Sequence, residues 1–182
     1  MKPSTFPVLD IGDYILREWR LDDAADAFAF RSDPHADRFW RNAPPDVEEM
    51  RDWIEGYISR FYRQTGLYWA IADKDNDRVI GMCHFVNWDH NHCRVGVGYF
   101  LAKSHWNQGI TTLALKAIVN YGFSHMGLNR IQASTAVGNR ASQRVLEKVG
   151  FQCEGRLREY ILRHSEFSDS LMYSLLKKEW RK

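Results

Sequence analysis

The stretch "VGVGYFLAKSHWNQGITTLALKAIV", Val95 to Val119, decides the fold. Its first part, "VGVGYFLA", is a β-branched and aromatic run suited to a sheet. Its last part, from Ile110, has a helix-like pattern. A single glycine, Gly109, stands at the junction, with Thr111 and Thr112 behind it. A strand entering a helix through such a turn presents N–H groups that have no partner inside the helix. The helix dipole adds about half a positive charge at the same place, so the junction can receive an anion. Gly109 lets a ligand approach the backbone with no Cβ in the way. An ordinary glycine turn accounts for the same residues, and both readings stand at this point. Two nucleotide-binding signatures do not fit. A P-loop needs Lys followed by Ser or Thr after its second glycine. A dinucleotide fingerprint needs three spaced glycines, and "GVGYFL" (Gly96 to Leu101) has two, inside a strand.

Upstream of this stretch, "YILREW" (14–19) reads as a first strand and "LDDAADAFAFRSD" (21–33) as a helix that Pro34 ends. Asp22 or Asp23 can serve its first turn. "APPDVEEMRDWIEGYISRFYRQTG" (43–66) reads as a second helix, with Pro45 in its first turn and Gly66 closing the segment. Met50, Trp53, Ile54, Tyr57, Ile58 and Phe61 give it one apolar face. "LYWAIAD", "RVIGMCHFVNW" and "CRVGVGYFLA" are strands divided by the turn clusters "KDND" and "DHNH", so they should pair antiparallel. Downstream, "NRIQASTAV" reads as a strand and "NRASQRVLEKVG" as a helix. "FQCEGRLREYI" and "EFSDSLMYSLL" are the last two strands. The order β-α-α-β-β-β-α-β-α-β-β predicts a mixed α/β (α+β) domain, a seven-stranded sheet with helices on both faces.

The chain has 182 residues, 45% hydrophobic and 14% aromatic, which suits one domain over residues 1–182 with a sizeable core. No repeat or low-complexity linker marks a boundary. The formal net charge of +2 is not the footprint of a dedicated nucleic-acid binder. Cys83, Cys93 and Cys153 have no framework spacing. With no secretory leader, they point to a reducing, cytoplasmic setting. No apolar run reaches the ~18 residues of a membrane span.

A second strand-to-helix junction lies in "VGNRASQRVLEKVGFQCEG" (Val137 to Gly155). Asn139 can be an N-cap and Gly150 a left-handed C-cap, both structural roles. Asn139 and Ser142 also place polar groups on the first turn of a helix beside a strand end. In a mixed sheet, two such junctions can face one crevice.

Together, "YFLAKSHWNQGITTLALKAIV" and "NRIQASTAVGNRASQRVLEKVGFQCEGRLRE" resemble the GNAT superfamily of acyl-CoA-dependent N-acyltransferases. Within it, the chain is similar to the ribosomal-protein N-terminal acetyltransferase branch. "YILREWRLDDAADAFAFRSDP" and "EFSDSLMYSLLKKEW" extend the resemblance over almost the whole chain. The resemblance implies a mixed, mostly antiparallel sheet splayed between strands 4 and 5. The pantetheine arm of acetyl-CoA enters the opening and pairs with strand 4, here through Tyr99, Phe100 and Leu101. The family's pyrophosphate loop, Gln/Arg-x-x-Gly-x-Gly/Ala, falls on Trp106, Asn107, Gln108, Gly109, Ile110 and Thr111, with Thr112 adjoining. Trp106 and Thr111 depart from that pattern. Thr111 either crowds the phosphates or donates to them.

The implied reaction is direct attack of an amine on the thioester. By resemblance, Ser142 assists the departing thiolate and Asn139 contacts the cofactor or a water. The tyrosine acid of many relatives falls at Leu146, and their strand carboxylate falls near Gly96. Neither residue can do that work. Glu159 is the nearest carboxylate to a family base position, with Ile161 the alternative occupant. The missing base bears on the substrate. An α-amine, with a reference pKa of about 8, is largely neutral near pH 7.5, whereas a lysine-like amine costs roughly 4 kcal/mol to deprotonate. The leading acceptor is therefore the N-terminal α-amine of a protein, ribosomal proteins included. A small amine (amino acid, polyamine or aminoglycoside) is the alternative enzyme substrate, and a non-catalytic CoA-binding module is the alternative class. A monomer or homodimer is expected, with no membrane, nucleic-acid or metal partner. His84, His90, His92 and Cys93 lie close in sequence, but no second cluster completes a four-ligand metal set. His84, on a central strand, is a candidate to face the cleft and shuttle a proton. "DPHADRFWRNAPP" borders the acceptor site in this family. "KKEWRK" reads as a solvated end.

Overall fold

The computed structural model describes residues 5–33, 43–163 and 165–180. Its strands are β1 (Leu9–Asp10), β2 (Tyr14–Glu18), β3 (Leu67–Asp73), β4 (Val79–Asp89), β5 (Arg94–Leu101), β6 (Arg130–Ala136), β7 (Gln152–Arg163) and β8 (Glu166–Leu176). Its described helices are α1 (Ala24–Arg31), α2 (Val47–Tyr62), α3 (Ile110–His125) and α4 (Arg140–Val149). The strands form one sheet in the order β1-β2-β3-β4-β5-β6-β8-β7. The β5–β6 pair is parallel and all other neighbours are antiparallel.

Among the described residues the sheet has eight strands where seven were expected, because β1 adds Leu9 opposite Leu16 and Asp10 opposite Ile15. A two-residue strand carries no alternation for a sequence reading to find. The splay expected between strands 4 and 5 accordingly lies between β5 and β6. These two pair only at Arg94–Arg130, Val95–Ile131 and Gly96–Gln132. Beyond Gly96, β5 stays with β4 as far as Leu101, and β6 stays with β8 as far as Ala136. The sheet therefore opens along Val97–Leu101.

Both faces of the sheet are covered, which explains why Leu67–Ala72 of β3 are all buried. On one face, Leu115, Ile118, Val119 and Phe123 of α3 and Leu146 and Val149 of α4 pack with Trp69, Phe85 and Ile131. On the other, Ala27 and Phe30 of α1 and Met50 and Ile54 of α2 pack with Ala70, Met82 and Phe100. The face of α2 read from the spacing is the buried one, although its start differs from the expectation. Asp46, not Pro45, caps it, accepting from Glu49 N at 2.9 Å, so Pro45 precedes the helix. A proline N–H is absent wherever it stands, while a carboxylate beside the free N–H groups satisfies one of them. A short 3-10 turn (Leu21–Asp23) precedes α1. Pro34, Phe39 and Trp40, and most of "DPHADRFWRNAPP", lie outside the described residues.

Arg17 ties β2 to α1 and to the β3–β4 turn. Its guanidinium meets the Asp23 carboxylate in a bidentate pair at 2.8 and 2.9 Å, and its Nε donates to Asp77 at 2.9 Å. Both Arg17 and Asp23 are buried. Asp23 also accepts from Arg20 N at 2.7 Å. No helix among the described residues is long and apolar enough to cross a membrane.

Candidate active site

Alternation along β5 sends successive side chains to opposite faces. Val95, Val97 and Leu101 lie in the α3/α4 core with Tyr99 packed against it, while Phe100 lies in the α1/α2 core. Gly96 and Gly98 belong to the α1/α2 face and put no side chain on it. The side chains of Phe100 and Leu101 are thus committed to packing. What Phe100 and Leu101 offer at the opening is backbone, continuous with that of Tyr99, the kind of edge an extended ligand can pair with. The Leu101 carbonyl is already used, accepting from Trp106 Nε1 at 2.8 Å.

At the end of β5 the chain turns through Asn107 (φ 62°) and Gly109 (φ 82°), both left-handed, and enters α3. No side chain caps α3 at Gly109. The N–H groups of Ile110, Thr111 and Thr112 are therefore the free donors of this helix start. A Cβ built on Gly109 meets nothing within 4 Å, so the space over the turn is open. Two details were not legible in the spacing. Gln108 donates its amide to Ser104 O at 3.2 Å, and Ile110 is buried, so these residues face the turn through backbone alone.

On the other wall, Asn139 caps α4 by accepting from Ser142 N at 3.1 Å. Its carbonyl oxygen is spent on structure, and its Nδ2 is the group left to meet a ligand. Gln143, which the sequence reading passed over, is buried and donates to Val137 O at 2.8 Å, fixing the β6–α4 turn. Gly150 closes α4 in the left-handed region. Ser142 and Tyr99 meet across the opening, their hydroxyl oxygens 2.8 Å apart. Tyr99 Oη also donates to Ser142 O at 3.1 Å. Burial raises the Tyr99 pKa, and the bond to Ser142 offsets this in part. Leu146 is fully buried in the core beneath this wall.

Glu159 sits apart from these groups. It lies in an irregularity of the β7–β8 pairing between Leu157 and Ile161, with φ 49°. It is exposed, and its N–H donates to Asp169 at 2.7 Å. No described contact joins it to Ser142 or Asn139. Ile161 pairs with Ser168.

The α1/α2 face of the opening carries His84 of β4, directly opposite Gly98. His84 stacks on Tyr68 with ring centroids 4.7 Å apart, and Tyr68 stacks on Tyr57 at 4.7 Å. Burial drives the His84 pKa down to about 3, and the charges of Arg31 and Arg60 add to the effect. An imidazole held neutral over the physiological range is a hydrogen-bonding group and holds no proton to donate as an acid. The absent Cβ of Gly98 is what admits the ring: a Cβ there would stand 2.4 Å from His84 Nε2. Gly98→Ala should therefore push His84 out of its stack, lowering Tm by several degrees, at about 1–3 kcal/mol for overpacking. Gly56→Ala, with open space in mid-α2, should leave Tm unchanged or raise it slightly. Equal Tm values for the two variants would show that His84 moves freely.

His90 and His92 do not join His84. His90 Nε2 bonds Gln64 O at 2.9 Å, and His92 sits in the β4–β5 turn, its N–H donating to Asp89 at 3.0 Å. Among the described residues no three His, Cys, Asp or Glu side chains gather as a metal ion would require.

A sheet opened beside two helix N-termini is the geometry that the sequence resemblance implied, and comparison with known proteins bears on it directly. The family described as "Acetyltransferase (GNAT) domain" matches residues 13–152. YoaA of Bacillus subtilis (strain 168), an uncharacterised N-acetyltransferase, is 32% identical over 173 residues, 94% of this chain and 98% of its own length. The ribosomal protein uS5-alanine N-acetyltransferase of Escherichia coli (strain K12) is 26% identical over 129 residues, 69% of this chain and 66% of its own. The structure of Mycobacterium smegmatis RimJ in complex with CoA-disulfide superposes with a TM-score of 0.87 at 25% identity, covering 99% of this chain and 90% of that one. The chain belongs to the GNAT family of acetyl-CoA-dependent N-acetyltransferases.

Proposed function

We propose that the acceptor is the N-terminal α-amine of a protein, ribosomal proteins being the first class to test. The observation that carries this reading is the character of the α1/α2 face. Its β5 positions before Phe100 are the glycines Gly96 and Gly98, its histidine is held neutral, and the charges acting on that histidine are the guanidinium groups of Arg31 and Arg60. Such a face offers little basic pull on a protonated amine. It suits an amine that is already largely neutral near pH 7.5, as an α-amine is. The relationship to the uS5-alanine enzyme supports the same reading.

In this arrangement the backbone of Tyr99–Leu101 pairs with the pantetheine arm, and the N–H groups of Ile110, Thr111 and Thr112 hold the pyrophosphate. The Thr111 and Thr112 side chains are partly exposed beside those donors and add hydroxyls to them. Acetyl-CoA supplies the thioester. The amine nitrogen forms a bond to its carbonyl carbon, the C–S bond breaks, and the proton lost by the amine balances the one gained by the thiol. Ser142 hydrogen-bonds the sulfur as negative charge develops there.

Thiol release from acetyl-CoA, measured against a panel of amines, tests the acceptor. Peptides with a free N-terminus should turn over at pH 7.5, and N-terminally blocked peptides with lysine should not. Faster turnover of spermidine or an aminoglycoside than of every free-N-terminus peptide would overturn the assignment.

A further inference from the structure

We propose that Tyr99 is a positioning residue for the transfer step and acts through Ser142; this rests on the acetyl-transfer reading above. The two residues are 43 positions apart and come from β5 and α4, the two walls of the opening. The β5–β6 ladder has already ended at Gly96, so the Tyr99–Ser142 contact joins walls that the sheet itself no longer joins. Ser142 is fixed on both sides of its backbone: its N–H is held by Asn139 Oδ1 and its carbonyl by Tyr99 Oη. What remains free at Ser142 is the rotation of its hydroxyl.

Tyr99 has one hydrogen and two acceptors within reach, Ser142 O at 3.1 Å and Ser142 Oγ at 2.8 Å. Two arrangements follow. In one, Tyr99 donates to the carbonyl and accepts from Ser142 Oγ. In the other, Tyr99 donates to Oγ, and the Ser142 hydrogen is free to point into the opening. Negative charge on the departing sulfur favours the second arrangement, since the Ser142 hydrogen then faces the charge. The Tyr99 donor simultaneously polarises Oγ, strengthening the bond Ser142 makes. No covalent bond to oxygen breaks; both groups only rotate. Burial keeps the phenol protonated, so the donor persists throughout the working pH range. Leu146 leaves α4 without a hydroxyl at that position, and the phenol arrives instead from β5.

The test is a double-mutant cycle on the full chain, using Tyr99→Phe, Ser142→Ala and the pair, with kcat, the KM for acetyl-CoA and Tm read for each. Tyr99→Phe should lower kcat about tenfold with KM within twofold, because the backbone at position 99 is retained. The double variant should be no slower than Ser142→Ala alone, since Tyr99 has then nothing to act through. Losses that multiply in the double variant would overturn the proposal, as they would mean that Tyr99 acts independently. An unchanged kcat in Tyr99→Phe, or a fall in kcat matched by a rise in KM and a lower Tm, would overturn it too. Absence of thiol release by the unmodified chain with every amine would instead strike the acetyl-transfer reading.

Discussion

Gly109→Asp should raise the KM for acetyl-CoA by about two orders of magnitude and leave the fold intact. The position is left-handed, at φ 82°, and asparagine and aspartate are among the side chains that tolerate that region. A Cβ there meets no atom within 4 Å, so no core packing is disturbed. The effect falls on charge. The new carboxylate would stand beside the free N–H groups that open α3 and compete with a phosphate for them. At a protein surface, two unit negative charges about 5 Å apart repel by roughly 3 kcal/mol, which corresponds to more than a hundredfold in affinity. Gly109→Asn separates the causes, having the same size and backbone preference but no charge; its KM should rise far less. The measurement is KM for acetyl-CoA with CoA affinity by calorimetry, alongside Tm. Unchanged cofactor affinity in Gly109→Asp would remove the pyrophosphate from this turn.

That turn also shows how far the sequence could be read. Gly109 and the strand before it were legible because a strand-to-helix junction is written in consecutive residues. The same holds for Asn139 and Gly150, whose capping roles depend on neighbours within four positions. Local spacing likewise located β3 and β8 at their observed bounds. Features made by distant residues were not legible. Tyr99 read as one residue of a pairing strand, and nothing in its neighbourhood announced that its hydroxyl reaches Ser142. Gly98 read as a strand glycine; its reason is the His84 ring, brought there by β4–β5 register. Glu159 read as the carboxylate nearest a family base position, with Ile161 the alternative occupant. The β7–β8 irregularity that sets its orientation is a property of two strands together. The family resemblance supplied the splay, which no residue pattern encodes by itself, and the pairing that ends at Gly96–Gln132 gives it a position.

Asp23 read as a first-turn carboxylate and turned out to be half of a buried ion pair, which leads to the largest expected change in stability. Asp23→Ala should cost about 3 kcal/mol, the lower end of the range for breaking a buried pair, because Asp77 stays in contact with Arg17. Asp77 is about half exposed and a weaker partner, with a side-chain exposure of 53% against 8% for Asp23. The remaining loss comes from Arg20 N, which forfeits its acceptor at the start of the 3-10 turn. For a chain of this length, Tm should fall by roughly 6–12 °C, readable by thermal unfolding. The companion variant Arg17→Met with Asp23→Leu removes both charges and fills much of the same volume. Desolvation weighs on each buried ion, so this pair should lose less stability than Asp23→Ala alone. If the single variant melts within 2 °C of the unmodified chain, the ion pair contributes little, and the apolar contacts of Ala27 and Phe30 hold α1 to the sheet without it.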